Sequence, residues 1–116
     1  MAKLETHFLV PILEDISYGG ALNPFNRWEI LQRDLFRLFS VWTLSPGLYL
    51  GEYLDPDTGR PIRDQSKQYI IALEEERIPE LREYLRKRVA VIFRQKVIYF
   101  FNGREVEFVE SAERTL

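Results

Sequence analysis

The amino-acid sequence predicts an α+β fold in which two helices pack against one face of an antiparallel sheet. Apolar segments of strand length alternate with two amphipathic segments of helical length, in the order β-α-β-β-α-β. The last strand of this order forms a hairpin with one additional short strand, through a turn at Asn102 and Gly103. The chain has 116 residues, 46% of them hydrophobic and 29% charged, which is typical of one small globular domain.

The first predicted strand is the apolar segment Thr6–Leu13. Pro11 cannot donate a hydrogen bond to a neighbouring strand, so it should lie at an edge, at a bulge or near the strand end. A loop over Glu14–Asn26, rich in glycine, asparagine and proline, then leads to the first helix.

The first helix is predicted over Asn26–Ser40. Asn26 is a suitable N-cap because Glu29 stands three residues later, as in a capping box. The alternative start has its cap at Asn23, with Pro24 in the first turn. The apolar residues recur at steps of three and four and form one stripe, which consists of Trp28, Leu31, Leu35, Leu38, Phe39 and Trp42.

A hairpin is predicted next, with strands over Leu48–Leu54 and Ile62–Leu73. Its connection, Asp55–Arg60, has the sequence DPDTGR, in which proline fixes one backbone angle and glycine permits a positive φ. The return strand is polar at first and becomes apolar at Tyr69.

The second helix is predicted to begin near Pro79, which suits a first helical turn. Its apolar stripe consists of Ile78, Leu81, Leu85, Val89 and Ile92. The final hairpin spans Lys96–Val109. We expect one domain over residues 1–110 and a frayed tail over residues 111–116.

Right-handed crossovers turn this element order into a ferredoxin-like sandwich with one extra C-terminal strand. Two helices can cover only one face of the sheet, yet the first and fourth strands are apolar on both faces. Leu9 and Tyr99, for example, lie opposite Phe8 and Phe100. Leaving the second face in water would forfeit several kcal/mol, at about 25 cal/mol per Å². We therefore expect a homodimer formed through the sheet face, the alternative being that a loop or the tail covers it.

Composition excludes several functional classes. The chain has no cysteine, so it can form no disulfide, thiol nucleophile or cysteine-ligated metal site. No apolar segment reaches the roughly 18–20 residues of a membrane-spanning helix, and the first residues lack the core of a signal peptide. No phosphate-binding glycine motif and no serine-nucleophile elbow occurs. We expect a cytoplasmic protein that binds neither a membrane nor a cofactor.

Five residues are candidates for binding a small ligand, the chemistry of which the sequence does not reveal: His7, Tyr53, Arg63, Lys67 and Tyr69. The last three share one face of the return strand, with Asp64 on the other, and could line a cleft for an anion. The alternative is a solvated hairpin with cross-strand charge pairs. One histidine alone cannot build a zinc site, so we predict no metal, although Glu14 and Asp15 could hold a hard cation.

Positive charge concentrates in and after the second half of the second helix, at Arg82, Arg86, Lys87, Arg88, Arg94 and Lys96. Such a patch could bind the phosphate groups of a nucleic-acid backbone. A βαββαβ RNA-binding domain, however, also needs stacking aromatic residues in its third strand. Here that strand reads RDQSKQYI, and the net charge of the chain is −2, so this pattern argues against binding of nucleic acid.

Two stretches resemble a known family. They are the hairpin 51–59 with Ser66-Lys67-Gln68-Tyr69 after it, and the C-terminal stretch 94–100 with Gly103 and 106–109. In these stretches the chain resembles small uncharacterised bacterial proteins of ferredoxin-like topology, a family of domains of unknown function. The resemblance implies that fold and no established activity or catalytic residue. The long loop after the first strand departs from the family's pattern.

The sequence shows no catalytic constellation, and we therefore predict a non-enzymatic, homodimeric binding or accessory module. One alternative is a cofactor-independent enzyme of the dimeric α+β barrel type, acting on a small aromatic or anionic molecule. A second alternative is nucleic-acid binding through the basic patch between Arg82 and Lys96.

Overall fold

The computed structural model describes residues 2–113, and these form an α+β fold with one six-stranded antiparallel sheet. The strands are β1 (Leu4–Pro11), β2 (Thr43–Leu44), β3 (Tyr49–Leu54), β4 (Pro61–Leu73), β5 (Val97–Phe101) and β6 (Val106–Glu110). The helices are α1 (Phe25–Phe39), α2 (Ile78–Tyr84) and α3 (Ala90–Ile92), with a π-helical segment over Leu85–Val89 joining the last two. Short 3-10 turns span Ile16–Tyr18 and Glu75–Arg77.

β4 organises the sheet because it has 13 residues, enough to pair with three strands. Along one side it pairs with β1, and along the other it pairs first with β3 and then with β2. β5 lies on the far side of β1 and carries β6 at its outer edge. Because the register of β1 with β4 ends at Pro11 opposite Ser66, the hairpin of β3 and β4 extends past the end of β1.

The core lies between the helices and one face of the sheet. Phe8 and Val10 of β1 are fully buried there, as are Tyr69 and Ile71 of β4. The helical stripes supply the opposite side, with Trp28, Leu31, Leu35, Phe39, Ile78, Leu81, Leu85 and Val89. Strand alternation and helical periodicity therefore identified the residues of this core.

The first helix differs from its prediction at both ends. It begins at Phe25, and Asn26 is exposed and does not cap it. Asn23 is instead buried, where its Nδ2 donates to the Pro11 carbonyl at 3.1 Å and its Oδ1 accepts from Arg27 at 2.6 Å. Ser40 takes a positive φ of 61° and ends the helix. Trp42 was therefore wrongly placed in the helical stripe.

The segment predicted as a loop after β1 contains short-range order. An isolated bridge pairs Leu13 with Leu22, and the Glu14 amide donates to the Ala21 carbonyl at 2.7 Å. Asp15 accepts from the Ser17 amide at 2.9 Å and caps the first 3-10 turn. These contacts hold the loop against the end of β1.

The π-helical segment brings two residues of the second helical region to one carboxylate of α1. Tyr84 Oη and Arg88 Nε each donate to Oδ2 of Asp34 at 3.0 Å. Burial of Asp34 opposes its ionisation, but the hydrogen bonds from Arg88 and Tyr84 hold its pKa below the usual value. This partly buried network joins the two helical regions.

The described part of the predicted tail is bound to the domain. The Ser111 amide donates to the Lys96 carbonyl and the Ala112 amide donates to the Arg86 carbonyl, both at 2.9 Å. Residues 114–116 lie outside the described residues.

The turn between β5 and β6 provides a test of backbone and packing strain. Gly103 has a φ of 97°, and an added Cβ would lie 2.9 Å from Leu4 Cβ. Gly47 also has a positive φ of 77°, but an added Cβ would meet nothing within 4 Å. We expect Gly47→Ala to cost about 1–2 kcal/mol through φ alone, and Gly103→Ala to cost at least about 1 kcal/mol more. Urea unfolding of both variants measures the difference, and equal losses would contradict the close packing against Leu4.

Candidate functional site

The face of the sheet opposite the helices is only partly covered. Side chains alternate along each strand, so the strand register determines which residues share this face. They include His7, Leu9 and Pro11 of β1, Asp64, Ser66 and Gln68 of β4, Val97, Tyr99 and Phe101 of β5, and Val106, Phe108 and Glu110 of β6. Phe108 remains 68% exposed, so this face presents aromatic surface to solvent.

The hairpin of β3 and β4 forms one wall of a cleft on this face. The cleft has a volume of about 540 Å³, within the range of small-molecule sites. Its other walls come from the ends of β1, β5 and β6. The lining residues used below are Tyr53, Asp64, Gln95, Tyr99, Phe108 and Glu110.

Lys96 holds the hairpin in this position. Its Nζ lies 2.7 Å from Asp57 Oδ2, 3.3 Å from Asp55 Oδ1 and 3.8 Å from Asp15 Oδ2. The Lys96 side chain is only 14% exposed, and the hydrogen bond to Asp57 is the main reason why its pKa is raised. The tip of the hairpin is thus joined to the start of β5 and to the loop after β1.

Gln95 adds a neutral anchor beside Lys96. Its Nε2 donates to the Leu13 carbonyl at 2.8 Å and to the Phe93 carbonyl at 2.9 Å. The side chain is nearly fully buried. The floor at this end of the cleft is therefore fixed by hydrogen bonds.

Two titratable groups of the cleft have a shifted pKa: Tyr53, which is 38% exposed, and Asp64, which is half-buried. Burial raises the pKa of Tyr53, and the negative charges of Asp64, Asp15 and Asp55 raise it further. The phenol therefore stays protonated and can donate a hydrogen bond. Burial alone raises the pKa of Asp64, for which the described residues supply no hydrogen bond or ion pair.

Aromatic rings make up much of the remaining lining. Tyr99 and Phe108 pack edge to face, with centroids 6.0 Å apart and planes at 78°. Tyr53 contributes a third ring from the hairpin. Such a surface suits a flat aromatic ligand.

The candidates predicted from sequence do not form one site. Tyr53 lines the cleft, whereas His7 lies further along the open face, 5.0 Å from the Phe101 ring centroid. Burial lowers the pKa of His7. Arg63 is exposed and pairs with Glu52 at 3.4 Å, as the cross-strand alternative predicted.

Lys67 and Tyr69 lie on the helix side of the sheet. Lys67 Nζ is 4.3 Å from the centroid of the Trp28 ring. Tyr69 is fully buried, and its hydroxyl accepts from Gln32 Nε2 at 3.0 Å. The anion-binding cleft proposed on this face is therefore filled by core side chains.

Sequence reasoning missed most of the cleft residues. Asp64 was placed on the opposite face from Lys67, which is correct, but nothing in the sequence distinguished it from a solvated acid. The sequence did indicate that Tyr99 lies on the face away from the helices, because β5 is apolar on both faces. Phe108 follows the turn that Asn102 and Gly103 predicted.

The basic patch is neutralised by carboxylates. Each of the six cations has an acidic partner within the described residues: Arg82 with Glu107, Arg86 and Lys87 with Glu83, Arg88 with Asp34, Arg94 with Glu14, and Lys96 with three aspartates. Glu14 also pairs with Arg27 at 2.7 Å, so it is not available to a hard cation as an unpaired ligand. Residues 2–113 contain no group of three or more metal-ligating side chains.

Among the described residues, none of the helices has both the length and the apolarity needed to cross a membrane.

Comparison with known proteins found no matching family model and no matching curated protein. Two solved structures share the fold. A phage SAM lyase in complex with S-methyl-5'-thioadenosine is 14% identical, with a TM-score of 0.67. A phage SAM lyase in the apo state is 15% identical, with a TM-score of 0.64. Each alignment covers 98% of this chain and 94% of the other.

These matches overturn the prediction of a non-enzymatic module. The solved chains that share this fold over nearly its whole length belong to an enzyme. The prediction relied on the absence of a recognisable catalytic motif, and a cleft lined by residues from five strands leaves no such motif in the sequence.

The role of Lys96 can be tested by removing its charge. We expect Lys96→Met to lower the free energy of unfolding by about 1–3 kcal/mol, because three aspartates lose their cation in a mostly buried place. Hydrogen exchange should also lose protection in residues 49–66. Lys87→Met is the control, since Lys87 is 64% exposed where it pairs with Glu83. Unchanged protection of the hairpin in Lys96→Met would contradict the role given to Lys96.

Proposed function

We propose that this chain is an enzyme that binds S-adenosylmethionine in the cleft and cleaves it as a lyase, releasing 5'-methylthioadenosine. One observation carries the proposal. The cleft of about 540 Å³ combines aromatic rings with unpaired acids, in a chain that has the fold of a phage SAM lyase.

The charge of the cleft supports a positively charged ligand. Asp64 and Glu110 line it, and neither has an ion-pair partner in the part of the chain that the structure describes. The negative charge of Glu52 is balanced by Arg63, and the positive charge of Lys96 is balanced by three aspartates. S-adenosylmethionine carries a sulfonium and an ammonium group against one carboxylate, and its net positive charge suits this excess of negative charge. The lining disfavours the anionic ligand that the sequence suggested as an alternative.

The aromatic residues support a ligand that contains a nucleobase. Stacking of a base on an aromatic side chain contributes about 1–3 kcal/mol. Tyr53 lies on the hairpin wall, and the packed rings of Tyr99 and Phe108 lie on the wall formed by β5 and β6. An adenine ring can therefore contact one of these walls while the sulfonium group lies nearer Asp64. A sulfonium group is also attracted to aromatic faces.

The proposed reaction needs no second substrate. The bond between the sulfur and the amino-acid chain breaks, and its electron pair moves onto the sulfur, which becomes a neutral thioether. The carboxylate oxygen of the same amino-acid fragment attacks the carbon that loses the sulfur, so that a C–O bond replaces the C–S bond and the fragment leaves as a cyclic ester. The protein's part is to hold the substrate in a reactive conformation, and the protonated Tyr53 hydroxyl is a donor placed to do so.

Activity can be tested by incubating the protein with S-adenosylmethionine and measuring 5'-methylthioadenosine by liquid chromatography and mass spectrometry. We expect Tyr53→Phe to lower kcat/KM by about 10–100-fold, because one hydrogen bond to the substrate is lost. Tyr18→Phe, at an exposed tyrosine outside the cleft, should leave kcat/KM unchanged. Failure of the wild-type protein to form product faster than the buffer control would refute the proposed activity.

We also propose that the architecture is a ferredoxin-like sandwich to which β6 is appended. The order β3–β4–β1–β5, antiparallel throughout, supports this assignment, as does the position of the helices on one face. A cytoplasmic location remains part of the proposal.

We propose further that the uncovered part of the sheet face packs against another copy of the chain, a homodimer being the smallest such assembly. Val106 of the edge strand β6 is 45% exposed on this face, beside the exposed Phe108. Burying such side chains against an identical patch stabilises an isologous interface.

Light scattering coupled to gel filtration tests this self-association. We expect a mass of at least twice 13.8 kDa for the wild-type chain and a shift towards monomer in Val106→Asp. Phe36→Asp is the matched control, because Phe36 is equally apolar and 63% exposed but lies on α1, on the other side of the sheet. A monomeric wild-type protein at micromolar concentration would contradict the proposal.

A further inference from the structure

Asp64 differs from the other acids in sheltered positions because it has no partner. Asp34 accepts hydrogen bonds from Tyr84 and Arg88, and Asp55 accepts from a backbone amide and from Lys96. Within residues 2–113 no donor and no cation pairs with the carboxylate of Asp64. An unsatisfied, partly buried carboxylate destabilises the fold, so its presence calls for a compensating role.

The strand register directs this carboxylate into the cleft. Asp64 of β4 lies opposite Gly51 of β3, and both residues line the cleft. A Cβ added to Gly51 would lie 3.3 Å from Asp64 Oδ1. The missing side chain therefore leaves one side of the carboxylate open to whatever occupies the cleft.

We propose that Asp64 is the specificity-determining residue that selects a positively charged sulfonium ligand over the corresponding neutral thioether. This inference rests on the proposed function. A cationic centre attracts the carboxylate and so offsets the free-energy cost of removing water from it. A neutral thioether also removes that water but provides no opposite charge. Cleavage converts the sulfonium into a neutral thioether, so the same residue favours binding of the substrate and release of the product.

Binding measurements with two stable ligands test this inference. S-adenosylhomocysteine is the neutral thioether, and sinefungin carries an ammonium group at the position of the sulfonium and cannot be cleaved there. By calorimetry we expect the wild-type protein to bind sinefungin about tenfold more tightly, the size of one partly buried charge interaction.

Three variants separate the role of the charge from other effects. Asp64→Asn should bind both ligands equally, and Asp64→Glu, which keeps the charge, should retain the preference. Glu76→Gln removes one negative charge from an exposed position outside the cleft and should also retain it. Thermal unfolding checks that Asp64→Asn is folded, and we expect it to be at least as stable as the wild type because an unpaired carboxylate has been removed.

The outcomes distinguish the two proposals. Binding of both ligands with a preference that survives in Asp64→Asn would overturn the role of Asp64 and leave the proposed function standing. An equal loss of affinity for both ligands in Asp64→Asn would also overturn it, because it would show a general effect on the cleft. If the wild-type protein bound neither ligand at millimolar concentration, the proposed function would fail, and the inference with it.

Discussion

The ion pairs of Lys96 hold together the part of the molecule on which the cleft depends. The hairpin of β3 and β4 reaches beyond the end of β1, where no further strand supports it. Lys96 stands at the start of β5 and binds carboxylates from the hairpin turn and from the loop after β1. One mostly buried cation thus makes a protruding hairpin into the wall of the cleft. The proposed function requires such a rigid wall, because the ligand has to be held in one orientation.

The distribution of partners among the acidic residues separates structural from functional positions. Asp34 ties the two helical regions together, and Glu107 accepts two hydrogen bonds from Arg82 at 2.6 and 2.8 Å. Asp64 in the cleft is an exception, because it is partly buried and no described residue donates a hydrogen bond to it. Proteins tolerate such local instability where a ligand relieves it, so this exception supports the role proposed for Asp64.

Much of the fold followed from local signals. Asn102 and Gly103 predicted the last hairpin because the turn needs a residue that adopts a positive φ, and Gly103 has a φ of 97°. The helical stripes predicted the core because their period matches the helix. The end of α1 was predicted to within one residue, but the short strand β2 after it was not. Ser40 adopts a left-handed conformation that its side chain does not favour, and the chain then turns to pair Thr43 with β4.

The sequence by itself determined the α+β class, the two helical faces and the apolar residues on both faces of the first and fourth predicted strands. These depend on periodicity and turn chemistry, which act over a few residues. Only the tertiary structure decided that Tyr53, Asp64 and Tyr99 share a cleft while Lys67 and Tyr69 lie on the other side of the sheet. The physical reason is that strand register and the ion pairs of Lys96 join residues far apart in the chain, and a single sequence carries no local signal for either.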